Sequence, residues 1–424
     1  MKPTKGSAAI VLVSNGPGEL ITWVRPLALQ LHAALPLQPV QASARQRLDL
    51  VLVPCPNGTG REHHVARAWQ LFARIVPARR FWWLLLWPRR FGPWPRRGVV
   101  VFLGGDQFWT VLLAARLGYR HLTYAEWVAR WPGFNDRIAA MAPAVIEQLA
   151  PRWRSRCRVV GDLTADLSAI QPQREQQLGA GEWLALLPGS KGSKLRVGMP
   201  FFCAVADRLA QLRPSCRCVI PLAPTLTPAD LLAHLDPHSP IGRHYGALPA
   251  RLHQGEEGLE LLTAAGTPIR LVTAHPAHEA LTQCQLALTT VGANTAELAA
   301  LGVPMLVVVP THHLEVMEAW DGLIGLLARS PGPGRRLGKA FTAWQLRRHR
   351  FLALPNISAG RAVVPERVGL VTPAQIAEEA ADWLAHPSRL AGLRDDLRSL
   401  RGQPGAVAAL AAMVQELLPP VPSA

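Results

Sequence analysis

The chain has few cysteines, few acidic residues and no long apolar run. Its six cysteines are scattered, and only Cys216 and Cys218 lie close together, at a spacing that does not match a zinc site. We therefore expect reduced thiols rather than a disulfide framework. No apolar run reaches the roughly 20 residues of a membrane-spanning helix. The apolar run at 8–13 has the length of a strand and ends at Ser14, so we do not interpret it as a signal peptide.

Acidic residues are outnumbered, with 29 Asp and Glu against 45 Lys and Arg, which gives a net charge of +16. Such a charge indicates an anionic partner, either nucleic acid, a nucleotide-sugar or an anionic membrane surface. Genome-wide base composition is the alternative explanation, because Arg, Ala, Leu and Pro are all abundant. The basic residues are dispersed and no recognised nucleic-acid-binding motif is present, so we predict no nucleic-acid partner.

Two stretches of the chain begin in the same way. An apolar run at 8–13 leads into Ser14-Asn15-Gly16-Pro17-Gly18-Glu19, and a second run at 183–187 leads into Pro188-Gly189-Ser190-Lys191-Gly192-Ser193. A strand, a glycine loop and a helix in this order are typical of the start of a doubly wound α/β domain, whose ligand lies beyond the carboxyl end of the strand. A chain of 424 residues also exceeds the usual size of one core. We predict two Rossmann-like doubly wound domains facing each other across a cleft.

The pattern of strands and helices also predicts where the domains begin and end. The first domain is expected at 1–167, a polar link at 168–181, and the second domain at 182–372. Helices at 373–424 are expected to pack back on the body. Strands alternating with helices predict parallel sheets, interrupted in the second domain by loops between 222 and 266.

A segment at 74–97 is rich in tryptophan and arginine. It holds four of the 14 tryptophans and seven arginines, and no acidic residue occurs between Glu62 and Asp106. This composition is typical of a segment in the lipid headgroup layer. A buried aromatic cluster or oligomer contact, or a nucleic-acid patch with stacking tryptophans, are the alternatives. The residues predicted to meet an anionic membrane surface are Trp82, Trp83, Trp87, Arg89, Arg90 and Trp94.

The loop at 186–194, Leu-Leu-Pro-Gly-Ser-Lys-Gly-Ser-Lys, has the composition of an anion site. Gly189 lets the backbone approach a ligand, Ser190 offers a hydroxyl, and Lys191 adds positive charge. The following helix would present free N–H groups to a phosphate. The spacing is not that of a Walker loop, and an ordinary strand–turn–helix is the alternative.

A second motif spans 286–310. The strand is expected to end at Thr289-Thr290, with Asn294 or Thr295 capping a helix at 295–301. Glu297 would lie in the first helical turn, where a carboxylate can accept both hydroxyls of a ribose. Asn294 and Glu297 also fit a capping box, and the two roles are compatible.

A third motif spans 354–361, Leu-Pro-Asn-Ile-Ser-Ala-Gly-Arg. A Pro-Asn turn followed by Gly-Arg would place the Asn356 amide and the Arg361 guanidinium on a loop. A plain turn with a surface arginine is the alternative.

These three motifs, in this order and at these separations, resemble lipid-A-disaccharide synthase, a glycosyltransferase family of the GT-B fold. The likeness extends to 102–108, 121–131 and 159–167, which match the acidic loop, the Ser/Trp-rich segment and the strand into the second domain of that family. It covers most of the chain.

The resemblance implies a UDP-sugar donor held by the C-terminal half and transferred to a lipid acceptor with inversion. The resemblance also implies that the reaction needs no metal and no cofactor, and the chain has no Asp-x-Asp motif. Asp106 matches the acidic loop and is the candidate general base, which would take the proton of the acceptor hydroxyl while cationic and N–H donors hold the leaving diphosphate. The residues implied to bind the donor are Gly189, Ser190, Lys191, Asn294, Thr295, Glu297, Asn356 and Arg361.

Reduced thiols favour a cytoplasmic enzyme, and the Trp/Arg-rich segment at 74–97 favours one that is peripheral on the inner face of the cytoplasmic membrane. The family forms dimers through its C-terminal part, which leaves a homodimer open.

The N-terminal half departs from the family pattern. Its first loop lacks the Gly-Glu-x-Ser-Gly-Asp type of sequence, and Glu19 is the candidate to replace one acidic group there. The acidic loop has one Asp where the family has a pair. A UDP-sugar epimerase or soluble-acceptor transferase of the same fold, or a non-catalytic relative, are therefore the alternatives.

Overall fold

The computed structural model describes residues 8–35, 37, 46–54, 58, 60–169, 177–190, 192–236, 238–245, 249–311, 351–400 and 402–418. The chain forms two compact units, one of residues 1–170 with 402–424 and one of residues 171–401. Each unit is built on a mostly parallel sheet with helices between successive strands. The predicted class, two doubly wound α/β domains, is confirmed.

The first unit contains a seven-stranded sheet in which every neighbouring pair is parallel. The strand order is β3-β2-β1-β4-β5-β6-β7. The strands are β1 Ala8–Ser14, β2 Gln46–Leu52, β3 Arg74–Val76, β4 Arg97–Phe102, β5 Arg120–Ala125, β6 Arg137–Ala140 and β7 Cys157–Val159. The helices before the link are α1 Pro17–Glu19, α2 Arg25–Ala34, α3 Glu62–Ala68, α4 Phe81–Leu86, α5 Gln107–Leu117, α6 Pro143–Glu147 and α7 Pro151–Arg154, with a π-helical turn at Leu20–Val24 and 3₁₀ turns at Ala78–Arg80, Pro88–Phe91, Pro132–Phe134 and Leu163–Ala169.

Apolar residues on both faces of the central strands explain why this sheet lies between two layers. All seven residues of β1 are buried. Ile10 and Leu12 pack into one apolar cluster with α2, while Val11 and Val13 pack into another with α4 and α5. A strand that is apolar on both sides is typical of a parallel sheet covered by helices.

The second unit contains an eight-stranded sheet in the order β10-β11-β12-β9-β8-β13-β14-β15. Its strands are β8 Glu182–Leu187, β9 Cys216–Pro221, β10 Arg251–Gly255, β11 Gly258–Leu262, β12 Pro268–Val272, β13 Leu286–Thr289, β14 Met305–Pro310 and β15 Glu366–Gly369. Its helices are α8 Gly192–Leu212, α9 Pro228–Leu232, α10 Pro240–His244, α11 His278–Gln283, α12 Ala293–Leu301, α13 Leu354–Ala359, α14 Pro373–Ala385 and α15 Pro387–Leu400.

The stretch between 222 and 266 differs from the prediction of loops. It contains α9, α10 and a hairpin of β10 and β11, which pairs antiparallel with β12 and extends the sheet. Gly255 and Gly258 flank the hairpin turn, and Gly258 has a φ of +128°, a conformation that side chains disfavour.

The C-terminal helices do not form one group, so the predicted block at 373–424 is wrong. Helices α14 and α15 belong to the second unit, whereas α16, Ala406–Leu417, belongs to the first. Leu410, Met413 and Val414 of α16 are buried in the first core. Asp166 accepts hydrogen bonds from the N–H groups of Gly405 and Val407, at 2.5 Å and 2.7 Å, and so fixes the start of α16.

In the first sheet the strand order reverses between β1 and β4, and in the parallel part of the second sheet it reverses between β8 and β13. We call these two positions the switch points. Ligands of doubly wound folds bind beyond the carboxyl ends of the strands at such points. None of the helices in the described ranges has the length and apolar character needed to cross a membrane.

Candidate functional site

Close backbone packing brings Glu19 to the switch point of the first unit. A Cβ on Gly16 would lie 2.5 Å from Glu19 Oε2. A Cβ on Gly104, after β4, would lie 3.2 Å from both Glu19 Cγ and Ser14 Oγ. The two glycines therefore let the loops after β1 and β4 pack together with the Glu19 side chain between them.

Asp106 lies on the same loop as Gly104, at the start of α5. It is exposed, and its Oδ1 accepts a hydrogen bond of 2.9 Å from the Phe108 N–H, which makes it the N-cap of the helix. The structure thus brings the two predicted catalytic residues, Glu19 and Asp106, to the loops of neighbouring strands. It also shows that Asp106 has a structural role.

Two substitutions separate the helix cap from the carboxylate. Asp106→Asn keeps an oxygen that can cap α5, whereas Asp106→Ala removes it. We expect Asp106→Ala to lower the free energy of unfolding by about 1 kcal/mol and Asp106→Asn to leave it nearly unchanged. Urea unfolding of both variants measures the difference, and equal losses of stability would contradict the capping role.

Sequence reasoning missed Glu126, the residue that follows β5. Burial, together with the neighbouring carboxylates of Asp162 and Glu19, raises the pKa of Glu126 to about 7, and a hydrogen bond with the Trp127 side chain offsets part of this effect. A carboxyl group with a pKa near neutrality is suited to general acid–base chemistry. The available signal was its position, because β5 pairs with β4 and so places Glu126 at the same edge as Glu19 and Asp106.

Gln107 hydrogen-bonds the segment after Glu126 to the start of α5. Its Nε2 donates to the Val128 carbonyl at 2.8 Å, and its Oε1 accepts from the Arg130 N–H at 2.6 Å. Gln107 is buried and follows Asp106 directly. These hydrogen bonds therefore join the loop that carries Asp106 to the segment that carries Glu126.

Helix α4, in the Trp/Arg-rich segment 74–97, packs on the sheet through its inner face. Phe81 and Leu84 are fully buried against the sheet. The Arg116 guanidinium of α5 donates to the carbonyls of Leu85 and Leu86, at 2.8 Å and 3.2 Å. The outer face of α4 therefore points to solvent although it is apolar.

A chain of aromatic rings leads from this outer face to the acidic edge. Trp82 contacts Trp109 with a centroid distance of 4.9 Å, Trp109 contacts Phe108 at 5.4 Å, and Phe108 contacts Trp131 at 5.6 Å. Trp83 of α4 stacks on Trp87, the residue that follows the helix, with a centroid distance of 5.0 Å. We name these six side chains the aromatic strip: Trp82, Trp83, Trp87, Phe108, Trp109 and Trp131.

The membrane-surface prediction is wrong for Trp94. Its ring is half-buried under the Arg74 guanidinium at 4.1 Å, and its Nε1 donates to the Pro88 carbonyl at 2.9 Å. Trp94 therefore anchors the segment to the first unit. Trp82, Trp83, Trp87, Arg89 and Arg90 are exposed, and the Arg90 guanidinium lies 5.4 Å from the Trp87 ring.

At the switch point of the second unit, the Lys194 side chain extends from the start of α8 to the loop after β13. Gly189 has a φ of +103°, and a Cβ there would lie 3.0 Å from Lys194 Cβ. Lys194 Nζ donates to the Val291 carbonyl, which follows β13. The ammonium group thus lies near the start of α8, where free N–H groups favour an anion. Ser190 is half-buried on this loop, and Lys191 lies outside the described residues.

Helix α12 begins earlier than predicted, at Ala293, with Gly292 as its N-cap and no side-chain cap. The predicted capping by Asn294 or Thr295 is therefore wrong. Thr295 is buried, donates to the Gly292 carbonyl at 2.8 Å and accepts from the Leu354 N–H at 3.2 Å, so its hydroxyl serves the fold. Asn294 is half-buried.

Glu297 makes a contact that differs from the capping box. Its Oε1 lies 2.9 Å from Nε2 of His278, the first residue of α11. The Glu297 side chain remains 21% exposed, so its carboxylate can still meet a ligand.

Asn356 does not form a donor-binding loop, because 354–359 is helical. Its Oδ1 accepts from the N–H groups of Val363 and Val364, and its Nδ2 donates to the Val364 carbonyl and to Glu366. The amide is buried and fully used within the fold, so the predicted donor contact is wrong. Arg361 is exposed and pairs with Asp396 at 3.3 Å.

Within the described ranges, no group of three His, Cys, Asp or Glu side chains is placed to hold a metal ion.

Comparison with known proteins agrees with the resemblance. No protein-family model matches the chain. It is 28% identical to lipid-A-disaccharide synthase from Myxococcus xanthus over 242 residues, which are 56% of this chain and 49% of that protein. It is 29% identical to the Pseudomonas putida protein of the same name over 234 residues, 54% of this chain and 48% of that protein. The chain thus spans about half the length of the curated relatives it matches.

Solved structures share the fold over nearly the whole chain. A UDP-GlcNAc 2-epimerase from Neisseria meningitidis, bound to UDP-GlcNAc, matches with a TM-score of 0.55 at 11% identity, covering 96% of this chain and 100% of that one. A spinosyn forosaminyltransferase matches with a TM-score of 0.50 at 12% identity, covering 96% and 99%. The chain is therefore a divergent relative of the lipid-A-disaccharide synthases with a GT-B fold.

Proposed function

We propose that the protein is a glycosyltransferase that moves a sugar from a UDP-sugar to a lipid acceptor with inversion. The observation that carries this proposal is the continuity of the aromatic strip with Asp106, which lies at the same edge of the sheet as Glu126. Phe108, in the strip, donates its backbone N–H to Asp106. A lipid whose chains contact the strip would therefore present its polar end to the carboxylates.

The donor is assigned to the second unit. The N-terminus of α8 and Lys194 supply positive charge for a diphosphate, and Gly189 permits the close approach of the loop. Glu297, at the same switch point, is assigned to the ribose hydroxyls. The sequence relatives named lipid-A-disaccharide synthase support a sugar-transfer role for this arrangement.

The proposed reaction needs one base and one stabilised leaving group. Glu126 accepts the proton of the acceptor hydroxyl as its oxygen attacks the anomeric carbon. The bond from that carbon to the diphosphate breaks on the opposite side, which inverts the configuration. The negative charge left on UDP is stabilised by Lys194 and by the N–H groups at the start of α8. Burial, together with the carboxylates of Asp162 and Glu19, raises the pKa of Glu126 to about 7, which suits it to take the proton near neutral pH.

The proposed location is the inner face of the cytoplasmic membrane, with the protein peripheral. Tryptophan rings at the exposed face of α4 would enter the headgroup layer, and Arg89 and Arg90 would meet lipid phosphates. A homodimer remains a prediction of the family resemblance, and light scattering of the purified protein tests it.

The direct test is incubation of the purified protein with a panel of UDP-sugars and a bacterial lipid extract, followed by mass spectrometry of the lipids. We expect one lipid species to gain the mass of one sugar, with release of an equal amount of UDP. UDP release without any glycosylated lipid, or no turnover at all, would contradict the proposal.

An epimerase is the second candidate, because the same fold occurs in the UDP-GlcNAc 2-epimerase noted above. Epimerisation needs no acceptor, so the protein would convert a UDP-sugar when no lipid is present. Proton NMR of a UDP-sugar incubated with the protein alone distinguishes the two reactions. The aromatic strip favours the transferase, since it has no use in the epimerisation of a water-soluble nucleotide-sugar.

A further inference from the structure

His278 is a buried histidine whose position the function proposed above does not explain. Its side chain is only 5% exposed, and its Nε2 lies 2.9 Å from Glu297 Oε1. Because a carboxylate only accepts hydrogen bonds, the hydrogen must be on Nε2. The other ring nitrogen, Nδ1, is also buried and has no hydrogen-bond partner within the described part of the chain. Among the described residues, the imidazole ring is therefore held by the hydrogen bond from Nε2 to Glu297.

The contact joins two elements that flank β13. His278 is the first residue of α11, which precedes this strand, and Glu297 lies in α12, which follows it. Both are in the second unit. A glutamate has three rotatable side-chain bonds, and a hydrogen bond from a buried ring restricts them before any ligand arrives. One carboxylate oxygen is occupied by His278, and the other has no hydrogen-bond partner among the residues that the structure describes.

We propose that His278 is a positioning residue that orients Glu297 to accept the ribose hydroxyls of a uridine nucleotide. This inference depends on the proposed function, which assigns Glu297 to the ribose. A ribose presents two adjacent hydroxyl donors, so a carboxylate with a fixed orientation accepts them without a further loss of freedom. His278 thereby favours ribonucleotides over nucleotides without these hydroxyls.

Two isosteric variants test the role of the Nε2 hydrogen. His278→Gln places an amide N–H near the position of Nε2, whereas His278→Asn places it near Nδ1, away from Glu297. The probes are UDP and 2′,3′-dideoxy-UDP, with dissociation constants measured by calorimetry. The readout is the ratio of the two constants, because a general weakening of the site changes both alike.

We expect wild type and His278→Gln to prefer UDP over the dideoxy compound by about tenfold or more. His278→Asn and Glu297→Ala should both lose most of this preference. The dissociation constant of 2′,3′-dideoxy-UDP should be the same for wild type and for these three variants. Thr282→Ala is the matched control, since Thr282 lies on the same helix and its hydroxyl donates to the Glu279 carbonyl rather than to Glu297.

The outcomes separate this inference from the proposed function. If wild type binds no UDP, the proposed function fails and this inference fails with it. If wild type and Glu297→Ala behave as expected but His278→Asn keeps the preference for UDP, or loses affinity for both probes equally, the positioning role is wrong and the proposed function stands.

Discussion

Glu126→Gln is expected to lower the rate of sugar transfer by about 10²- to 10⁴-fold, the usual contribution of a general base. The amide has nearly the shape of the carboxyl group but cannot accept the acceptor's proton at neutral pH. Binding of UDP should be unchanged, because the donor is assigned to residues of the other unit. Steady-state rates and calorimetric UDP binding, measured on the same preparation, give both quantities.

The pH dependence of the rate provides a second signature of the same residue. Burial and the neighbouring carboxylates favour the protonated form of Glu126 and raise its pKa to about 7. Below that value the group already holds a proton and cannot act as a base. The wild-type rate should therefore rise as the pH increases through about 7, and this rise should be absent in the residual activity of Glu126→Gln.

Stability measurements test whether unfolding of Glu126→Gln causes its loss of activity. A carboxyl group whose pKa is raised by folding binds protons more tightly in the native state, so its contribution to stability falls as the pH rises from its ordinary value of 4.5 to about 7. Replacing it with neutral glutamine should make the protein more stable at pH values above that window. A variant that is less active and also less stable there would contradict this account.

Asp106→Asn is the matched control for the identity of the base, because it retains the helix cap. We expect it to reduce transfer less than Glu126→Gln does. If Asp106→Asn removes the activity and Glu126→Gln retains it, the base is Asp106, as the family resemblance implies, and Glu126 is not required. The corresponding Glu19→Gln variant completes the comparison of the three carboxylates.

Replacing Trp82, Trp83 and Trp87 together with serine is expected to weaken binding to anionic lipid vesicles at least about a hundredfold. These residues are 48%, 53% and 44% exposed, so each ring can bury a substantial apolar area in the headgroup layer. Co-sedimentation with vesicles of phosphatidylglycerol and phosphatidylcholine measures the change. Transfer to a lipid acceptor should fall in parallel, whereas UDP binding should not.

The control removes exposed apolar groups elsewhere. Leu212, Ile357 and Leu370 are also exposed, on the second unit, and lie outside the aromatic strip. The triple serine variant at these positions should bind vesicles as wild type does. Equal losses in both triple variants would indicate a non-specific hydrophobic effect. Undiminished vesicle binding by the tryptophan variant would contradict a membrane-facing strip.

The parallel architecture could be predicted because its signals are local. Runs such as Ala8–Ser14 and Glu182–Leu187 are apolar, short and followed by glycine, and each became the first strand of its unit. The β10–β11 hairpin was missed, because its strands are half-exposed and carry little apolar periodicity.

The site was harder to predict, because a polar residue near a glycine motif can serve either a ligand or the fold. Thr295 and Asn356 turned inward to satisfy backbone groups, whereas Glu297 remained partly exposed. Burial raises the pKa of Glu126, and so do Asp162 and Glu19, which are residues distant in sequence. Such proximity follows from the order of strands in the sheet, which the sequence pattern does not specify.

The return of α16 to the first unit makes that unit discontinuous along the chain. Its core contains Leu410 and Met413 together with Ile10 and Leu12, so some of its contacts span nearly the whole sequence. Contacts of such separation form late and slow folding. During synthesis the first unit would remain without its last helix until the entire second unit has left the ribosome, with an apolar face exposed. Production of the first unit alone would therefore require residues 402–418 to be joined directly after 169.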